Sequence, residues 1–240
     1  MSSMTDFLGE FCGTAVLILL GDGVVAAVLL NKSKAQHAGW MVVTTAWAFA
    51  VIAGVLTARA VGAPGFINPV GPLAGVLTDS LSPQRIPYFV AGEFLGAFTG
   101  AVLVLLYYYP HFVETSDPTA KLGVFCTIPA IRNPAANFLS EAIGTFVLVF
   151  VGSAITEKEV GKSLQVPLAG VLVWSIGLSL GATTGYAINP ARDLGPRVAH
   201  FLLPIPGKGP TDWGYAWVPI LGPLVGGAAA AMLAKQIMLP

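Results

Sequence analysis

Two short apolar segments of the chain each open with Asn-Pro, as Asn68-Pro69-Val70 and Asn189-Pro190-Ala191. Asparagine is a favoured N-cap residue and proline suits the first helical turn, so each motif predicts the start of a helix. A helix start presents free backbone N–H groups and a positive dipole end beside the Asn amide. Arg192 directly follows the second motif and adds five N–H donors in a fixed geometry. These residue types predict hydrogen bonding to a polar solute.

The two motifs belong to a longer internal repeat. Each follows an apolar segment that contains Glu-x-x-Gly-Thr, which begins at Glu10 in the first copy and at Glu141 in the second. The similar spacing predicts two related halves. Within a single domain of residues 1–240 we therefore expect a first repeat over residues 1–109, a connecting loop over 110–137 and a second repeat over 138–240.

The composition indicates an integral membrane protein. Hydrophobic residues make up 55% of the chain and charged residues only 10%, whereas about 25% of an ordinary soluble domain is charged. A spanning helix needs about 20 apolar residues. The first such segment has no basic leader and no small-residue cleavage pattern, so we expect it to be retained as a span. The segments predicted to span are 7–30, 40–58, 87–109, 138–156, 166–183 and 216–234.

Three spans in each half is an odd number, so the second half must enter the membrane from the opposite side to the first. Corresponding segments of inverted halves build a shared site near the middle of the bilayer. The apolar runs 70–77 and 191–203 are too short or too charged to cross, and we expect them to be re-entrant. Non-helical backbone at that depth must be buried in protein or line a water-filled cavity. The predicted fold is an all-α membrane protein with six transmembrane helices and two re-entrant half-helices in inverted repeats, around a narrow aqueous pore.

The residues around the second motif resemble a known family. The run from Gly185 to Arg197 is similar to the second signature of the major intrinsic proteins, and specifically of their aquaglyceroporin (glycerol facilitator) branch. The resemblance covers essentially the whole chain, including Gly92-Glu93-Phe94-Leu95-Gly96-Ala97 and Phe125-Cys126-Thr127-Ile128-Pro129. It implies an aquaporin-like fold, cytoplasmic termini, and a homotetramer in the bacterial cell membrane with one pore in each subunit.

The resemblance also implies a function and its partners. Such a channel passively conducts small uncharged solutes such as glycerol, together with water and also dihydroxyacetone, urea or protonated lactic acid, and excludes ions and protons. Its other expected partner is the lipid bilayer. Nucleic acid, cofactors, metals and catalytic residues are not expected. A water-dominant aquaporin and an ion-coupled secondary transporter are the alternatives.

The family's selectivity filter can be carried over by motif. It implies filter positions at Arg192, at Tyr186, at Gly177 in the fifth span, and at Trp47 in the second. Water-selective members resemble each other in having histidine at the position of Gly177 and usually serine after the arginine, where this chain has Asp193. Trp47 and Tyr186 would offer an apolar corner to the carbons of a polyol, Arg192 would donate to its hydroxyls, and Gly177 would leave the volume that admits it.

The chain departs from the family pattern at three places. Val70 stands in the first motif where the family has alanine, and Phe66 stands where histidine is common. Trp47 lies one residue further from Asn68 than the family spacing, which would instead select Ala48. We favour Trp47, because the turn between the second span and the first motif can absorb an insertion.

Several carboxylates lie in apolar surroundings, where an ionisable side chain is a functional candidate. For Glu10 and Glu141 the symmetric placement favours a structural role, in which they accept N–H bonds from the re-entrant loops, over a proton relay. Asp193 is expected to brace the first turn of its half-helix. Asp22 is either a solvated residue at the pore mouth or part of a network behind the pore.

Little else in the sequence carries chemistry. An ion-coupled transporter would need a coupling site, for which the candidates are Glu10, Asp22, Glu93 and Glu141, whereas a channel needs none. Two cysteines and three histidines show no disulfide or metal-ligand spacing. The net charge is zero, and no phosphate-binding loop or basic patch is present, so neither an enzyme nor a nucleic-acid binder is expected. Basic residues divide evenly between the two sides, so the positive-inside rule does not orient the chain.

Overall fold

The computed structural model describes residues 3–156 and 161–238. Within these ranges the chain forms long apolar helices and three short ones, and six of the helices are long and apolar enough to cross a membrane. The α-helices are α1 (Ser3–Leu29), α2 (Trp40–Val61), α3 (Val70–Leu77), α4 (Ile86–Glu114), α5 (Pro118–Phe125), α6 (Pro134–Thr156), α7 (Lys162–Leu180), α8 (Pro190–Leu202) and α9 (Val218–Ile237).

The short helices α3 and α8 are the predicted half-helices, and the predicted fold of six spans plus two half-helices is confirmed. Asn189 is the N-cap of α8, where its Oδ1 accepts the backbone N–H groups of Ala191 at 3.0 Å and Arg192 at 3.2 Å. In the first motif Asn68 Oδ1 accepts the N–H of Val70 at 3.1 Å. Both Asn-Pro motifs therefore start a helix as their residue types predict.

Each half-helix packs against the last span of the other half. In the first half α1 packs on α2 and α4, and in the second half α6 packs on α7 and α9. Across the halves α3 packs on α9, α8 packs on α4, and α2 packs on α7. The starts of α3 and α8 consequently meet at the centre of the helix bundle. The division into residues 1–109, 110–137 and 138–240 stays a prediction.

Small residues let the long helices approach closely, as is usual for helix pairs in membranes. A Cβ atom at Gly92 would lie 2.5 Å from the Phe7 carbonyl oxygen, and one at Gly100 would lie 2.7 Å from the Ala15 carbonyl oxygen. Gly96, one turn from each, faces the Phe11 carbonyl in the same way. A stripe of glycine on α4 thus fixes its register on α1, the helix that carries Glu10 and Asp22.

The connection between the halves is more helical than expected. The third span extends to Glu114, beyond the predicted end at residue 109, and α5 follows it over Pro118–Phe125. Asp117 caps α5 by accepting the N–H of Thr119 at 2.8 Å, and Pro118 occupies the first turn. This Asp-Pro start signal was available in the sequence. Helix α5 packs on α1 and α8, so it closes one side of the central site.

Candidate functional site

The two Asn-Pro motifs bind each other at the centre of the molecule. Asn68 Nδ2 donates to the Ile188 carbonyl at 2.8 Å, and Asn189 Nδ2 donates to the Ile67 carbonyl at 2.7 Å. Ile67 and Ile188 have φ angles of 48° and 40°, a region that β-branched residues rarely adopt. The reciprocal bonds hold the two re-entrant loops at a fixed distance and lock this unusual backbone.

Two buried glutamates support the loops from behind. Glu10 accepts the backbone N–H groups of Gly65 at 2.9 Å, Phe66 at 3.0 Å and Ile67 at 2.6 Å. Each of its oxygens is occupied by the first loop, so the loop cannot shift without breaking several bonds to a buried carboxylate.

The second loop is held in an equivalent way. Glu141 accepts the hydroxyl of Thr184 at 2.6 Å and the backbone N–H groups of Ala187 at 3.0 Å and Ile188 at 2.8 Å. A third buried carboxylate, Glu93, accepts the N–H of Asn68 at 3.1 Å. The backbone of both motifs is therefore fixed by hydrogen bonds to buried carboxyl groups.

Two cavities meet at these loops. The proximal cavity, of about 350 Å³, lies on the side of the chain's N-terminus and includes Phe66 and Asn68 in its lining. The distal cavity, of about 500 Å³, lies on the opposite side and includes Trp40 and Cys126. The two cavities share part of their lining. Among the described residues, those that line both cavities are Trp47, Gly185, Tyr186 and Arg192.

Arg192 lies at this junction with its guanidinium over the face of Trp47, 4.3 Å from the ring centroid. Its Nη1 also donates to the Phe125 carbonyl at 3.4 Å. Of the two described residues considered for this position, only Trp47 lines the cavities, and Ala48 does not. Trp47 is 5% exposed and Arg192 6%, so the junction is narrow and carries one aromatic face and one set of fixed donors.

Tyr186 completes the junction and is fixed by Trp40. The two rings meet edge to face with centroids 5.7 Å apart, and the Trp40 indole N–H donates to the Gly177 carbonyl at 3.0 Å. A Cβ atom at Gly177 would lie 2.9 Å from Tyr186 Cζ and 3.0 Å from Thr44 Cγ2. We expected the space beside Gly177 to be open to the solute, whereas Tyr186 and Thr44 fill it. Gly177 therefore affects the junction indirectly, because the absence of a side chain there leaves the space that the Tyr186 ring occupies.

Asp193 and Arg197 tie the start of α8 to the loop after α5. Asp193 accepts the N–H and the hydroxyl of Thr127 at 2.8 and 2.6 Å, and the Arg197 Nε at 2.7 Å. Arg197, itself fully buried, donates further to the carbonyls of Thr211 and Thr127. This network holds the first turn of α8, and with it Arg192, against the distal cavity wall.

Asp22 lies behind Arg192 in α1. It is fully buried, and its Oδ1 is 3.4 Å from Arg192 Nη1. This burial rules out the solvated position at a pore mouth and agrees with the alternative of a network behind the pore. Neither carboxylate oxygen accepts a hydrogen bond from any residue in 3–156 or 161–238.

Val70 and Phe66, the two residues at or near the first motif that depart from the family pattern, each have a local packing partner. Val70 is 1% exposed and fits against Gly227 of α9, where a Cβ atom would collide with Val70 Cγ1. Phe66 packs edge to face on Phe89, with centroids 5.2 Å apart, and covers Gly71, where a Cβ atom would lie 2.7 Å from its ring. Phe66 thus makes the lining of the proximal cavity more apolar.

Over the described ranges, no group of three His, Cys, Asp or Glu side chains could hold a metal ion.

The sequence profile of the Major intrinsic protein family matches residues 1–234 of the chain, which is nearly its whole length. The chain belongs to this family. As a major intrinsic protein it is a channel and not an enzyme.

Relatives of this major intrinsic protein are similar along their full length. It is 52% identical to the Probable glycerol uptake facilitator protein of Thermotoga maritima, over 96% of this chain and 98% of the relative. It is 53% identical to Glycerol uptake facilitator protein 3 of Lactiplantibacillus plantarum, over 95% of each chain. Its structure matches the X-ray structure of the aquaglyceroporin from Plasmodium falciparum with a TM-score of 0.88 and 25% identity, covering 100% of this chain and 98% of that one. Six apolar helices and the two bacterial relatives make it a multi-pass protein of the bacterial cell membrane.

Some residues at the centre of this major intrinsic protein were not predicted. Arg197 was overlooked although it lies one helical turn after Asp193, the spacing of an ion pair on a helix. Trp40 was assigned only as the first residue of a span. Its role depends on α2 and α7 packing across the two halves, for which the local sequence carries no signal.

Proposed function

We propose that this chain passively conducts glycerol and similar small uncharged solutes, together with water. The observation that carries the proposal is the junction of the two cavities, where Trp47, Tyr186 and Arg192 converge from two helices and a loop. The proposed filter consists of these three residues and Gly177, which makes room for the Tyr186 ring. The bacterial relatives described above, which are glycerol uptake facilitators by name, support this choice of solute.

The proposed filter suits a polyol because it has two different faces. Trp47 and Tyr186 present aromatic surface to the C–H side of the solute. Arg192 presents N–H donors to its hydroxyl oxygens, and these donors are fixed in advance by the Phe125 carbonyl and the Trp47 ring. Because the donors do not reorganise, a solute that loses water regains hydrogen bonds at the narrowest point.

Cations are excluded by the same geometry. The starts of α3 and α8 direct two positive dipole ends toward the centre of the pore. Arg192 adds its own charge to the channel lining beside them. A cation that sheds water there meets repulsion in addition to a desolvation penalty of several kcal/mol. We propose that protons, as hydrated ions, are excluded in this way too.

The bonding of Glu10 and Glu141 supports a channel over an ion-coupled transporter. Glu10 and Glu141 use both oxygens to hold the re-entrant loops. Neither carboxylate is free to bind and release a coupling ion without loosening a loop. The proposed role of Glu10, Glu141 and Asp193 is therefore to support the pore.

We also propose a homotetramer in which each subunit has its own pore. Both cavities are lined by residues of one chain, so the assembly would not supply a missing wall. The mass of the detergent-purified protein, measured by light scattering with the detergent contribution subtracted, tests this assembly. A mass of one subunit would contradict it.

Stopped-flow light scattering on proteoliposomes tests the proposed function. Water, glycerol and lactic acid are compared in the same vesicles, with protein-free vesicles as the background. We expect glycerol flux that scales with protein density and is unchanged when ion gradients are imposed or removed. Glycerol flux equal to the background beside fast water flux would instead support a water-dominant pore. Flux that follows an ion gradient would support a transporter.

A further inference from the structure

Asp22 is a buried carboxylate that the proposed pathway does not use. It lies in α1, 0% exposed, and neither oxygen accepts a hydrogen bond from a described residue. A carboxylate in such surroundings is costly unless a positive charge lies beside it. Within the described part of the chain, its one ion pair is with Arg192, at 3.4 Å.

The other contacts of Arg192 cannot balance its charge. The Phe125 carbonyl and the Trp47 ring are neutral groups that orient the guanidinium without cancelling its charge. The nearby carboxylate of Asp193 is already bonded to Arg197 and to Thr127. Asp22 is therefore the group placed to offset the charge of Arg192.

We propose that Asp22 is a specificity-determining residue, the counter-ion that holds the Arg192 guanidinium in place and offsets much of its charge at the filter. The inference rests on the proposed function and deepens it. A pore lined by an unbalanced arginine attracts anions, and the two half-helix ends strengthen that attraction. With Asp22 in place the filter offers hydrogen-bond donors to a neutral solute without collecting anions. Anion exclusion then depends on Asp22, whereas cation exclusion depends on the helix ends and on Arg192.

Nitrate conductance separates this role from a merely structural one, because nitrate is an anion throughout the accessible pH range and has no neutral form to cross the lipid. Asp22→Asn keeps the shape of the side chain and removes its charge. In planar bilayers we expect this variant to conduct nitrate at least about tenfold above the wild-type protein, since unit charges a few ångströms apart interact strongly in a partly dry pore.

The control removes the charge of a different carboxylate, Glu114, at the end of α4. Glu114 is exposed and pairs with Lys32 at 2.6 Å, away from Arg192. Glu114→Gln should leave nitrate excluded. A second comparison uses Arg192→Gln, alone and with Asp22→Asn. In the proposal, nitrate enters Asp22→Asn because the charge of Arg192 is no longer balanced. The double variant has no charge at Arg192, so its nitrate conductance should be lower than that of Asp22→Asn.

Three results would overturn the inference. The first is nitrate exclusion in a folded Asp22→Asn protein, and the second is a double variant that conducts nitrate as well as Asp22→Asn does. The third concerns folding: if Asp22→Asn does not fold, adding Arg192→Gln should restore the wild-type size-exclusion profile, and a lack of rescue refutes the pairing. Failure of the proposed function would be distinct, because it would appear as an absence of glycerol flux through the wild-type protein.

Discussion

Val70 and Gly227 form a complementary pair that can be tested by exchanging their volumes. Val70 begins the half-helix after Asn68, and its Cγ1 occupies the position that a Cβ atom of Gly227 would need. Val70→Ala removes two methyl groups at a site that is 1% exposed, which should cost about 2 kcal/mol of unfolding free energy from lost contacts and a small cavity. Gly227→Ala overpacks the same site and should also cost about 2 kcal/mol.

The double variant Val70→Ala/Gly227→Ala should be much more stable than the sum of the two. It removes two methyl groups from α3 and adds one on α9, a net loss of only one methyl group, so its cost should stay below about 1.5 kcal/mol. The coupling between the two sites is then at least about 2.5 kcal/mol. Because the pair sets the distance of α3 from α9, Gly227→Ala alone should also displace Asn68 and lower glycerol flux, and the double variant should recover it.

Graded SDS titration in mixed micelles measures the unfolding free energies, and vesicle shrinkage measures glycerol flux. Gly23→Ala in α1 is the control, since a Cβ atom there meets nothing within 4 Å. If Gly227→Ala is as stable as Gly23→Ala, or if the two substitutions add without coupling, then Val70 does not depend on the space at Gly227.

The remaining predictions concern the filter and its support. Arg192→Val should admit urea and small cations more readily, because the pore widens and loses its positive charge, and ion conductance in planar bilayers checks this. Gly177→Ala places a Cβ atom 2.9 Å from Tyr186 Cζ, so the ring moves toward the pore. Gly177→His should have a larger effect of the same kind, and stopped-flow measurements should show glycerol flux falling more than water flux. Equal losses would indicate a blocked or misfolded channel. Glu141→Gln places an amide N–H donor beside the N–H and O–H donors of the loop, so one of these donors loses its partner. The free energy of unfolding should fall by about 1–3 kcal/mol, and a lower melting temperature in detergent would show this loss.

The sequence predicts the parts of the site that repeat. The two Asn-Pro motifs, the two loop-holding glutamates and the six spans all recur in both halves, and each motif contains a local start signal that physical chemistry explains. The contact from Glu10 to the first loop has its counterpart from Glu141 to the second. Because these features are duplicated, they can be predicted from the sequence alone.

The parts that could not be predicted occur once and join distant segments. The pairing of Asp22 with Arg192 depends on the way in which α1 and α8 both pack on α4. The glycine stripe of α4 fixes only the first of these two contacts. The filling of the space beside Gly177 likewise depends on an aromatic ring from another segment. Composition and spacing describe single helices, and these contacts arise only when helices from both halves pack.

The exchange of half-helices between the two halves has a consequence for biosynthesis. Helix α3 is translated early, yet one of the surfaces it packs against belongs to α9, the last helix of the chain. The surface of α4 that receives α8 is likewise uncovered until residue 202 has left the ribosome. The first half therefore cannot complete its own packing when it enters the membrane. The wall of the pore is complete only after α9 has been inserted.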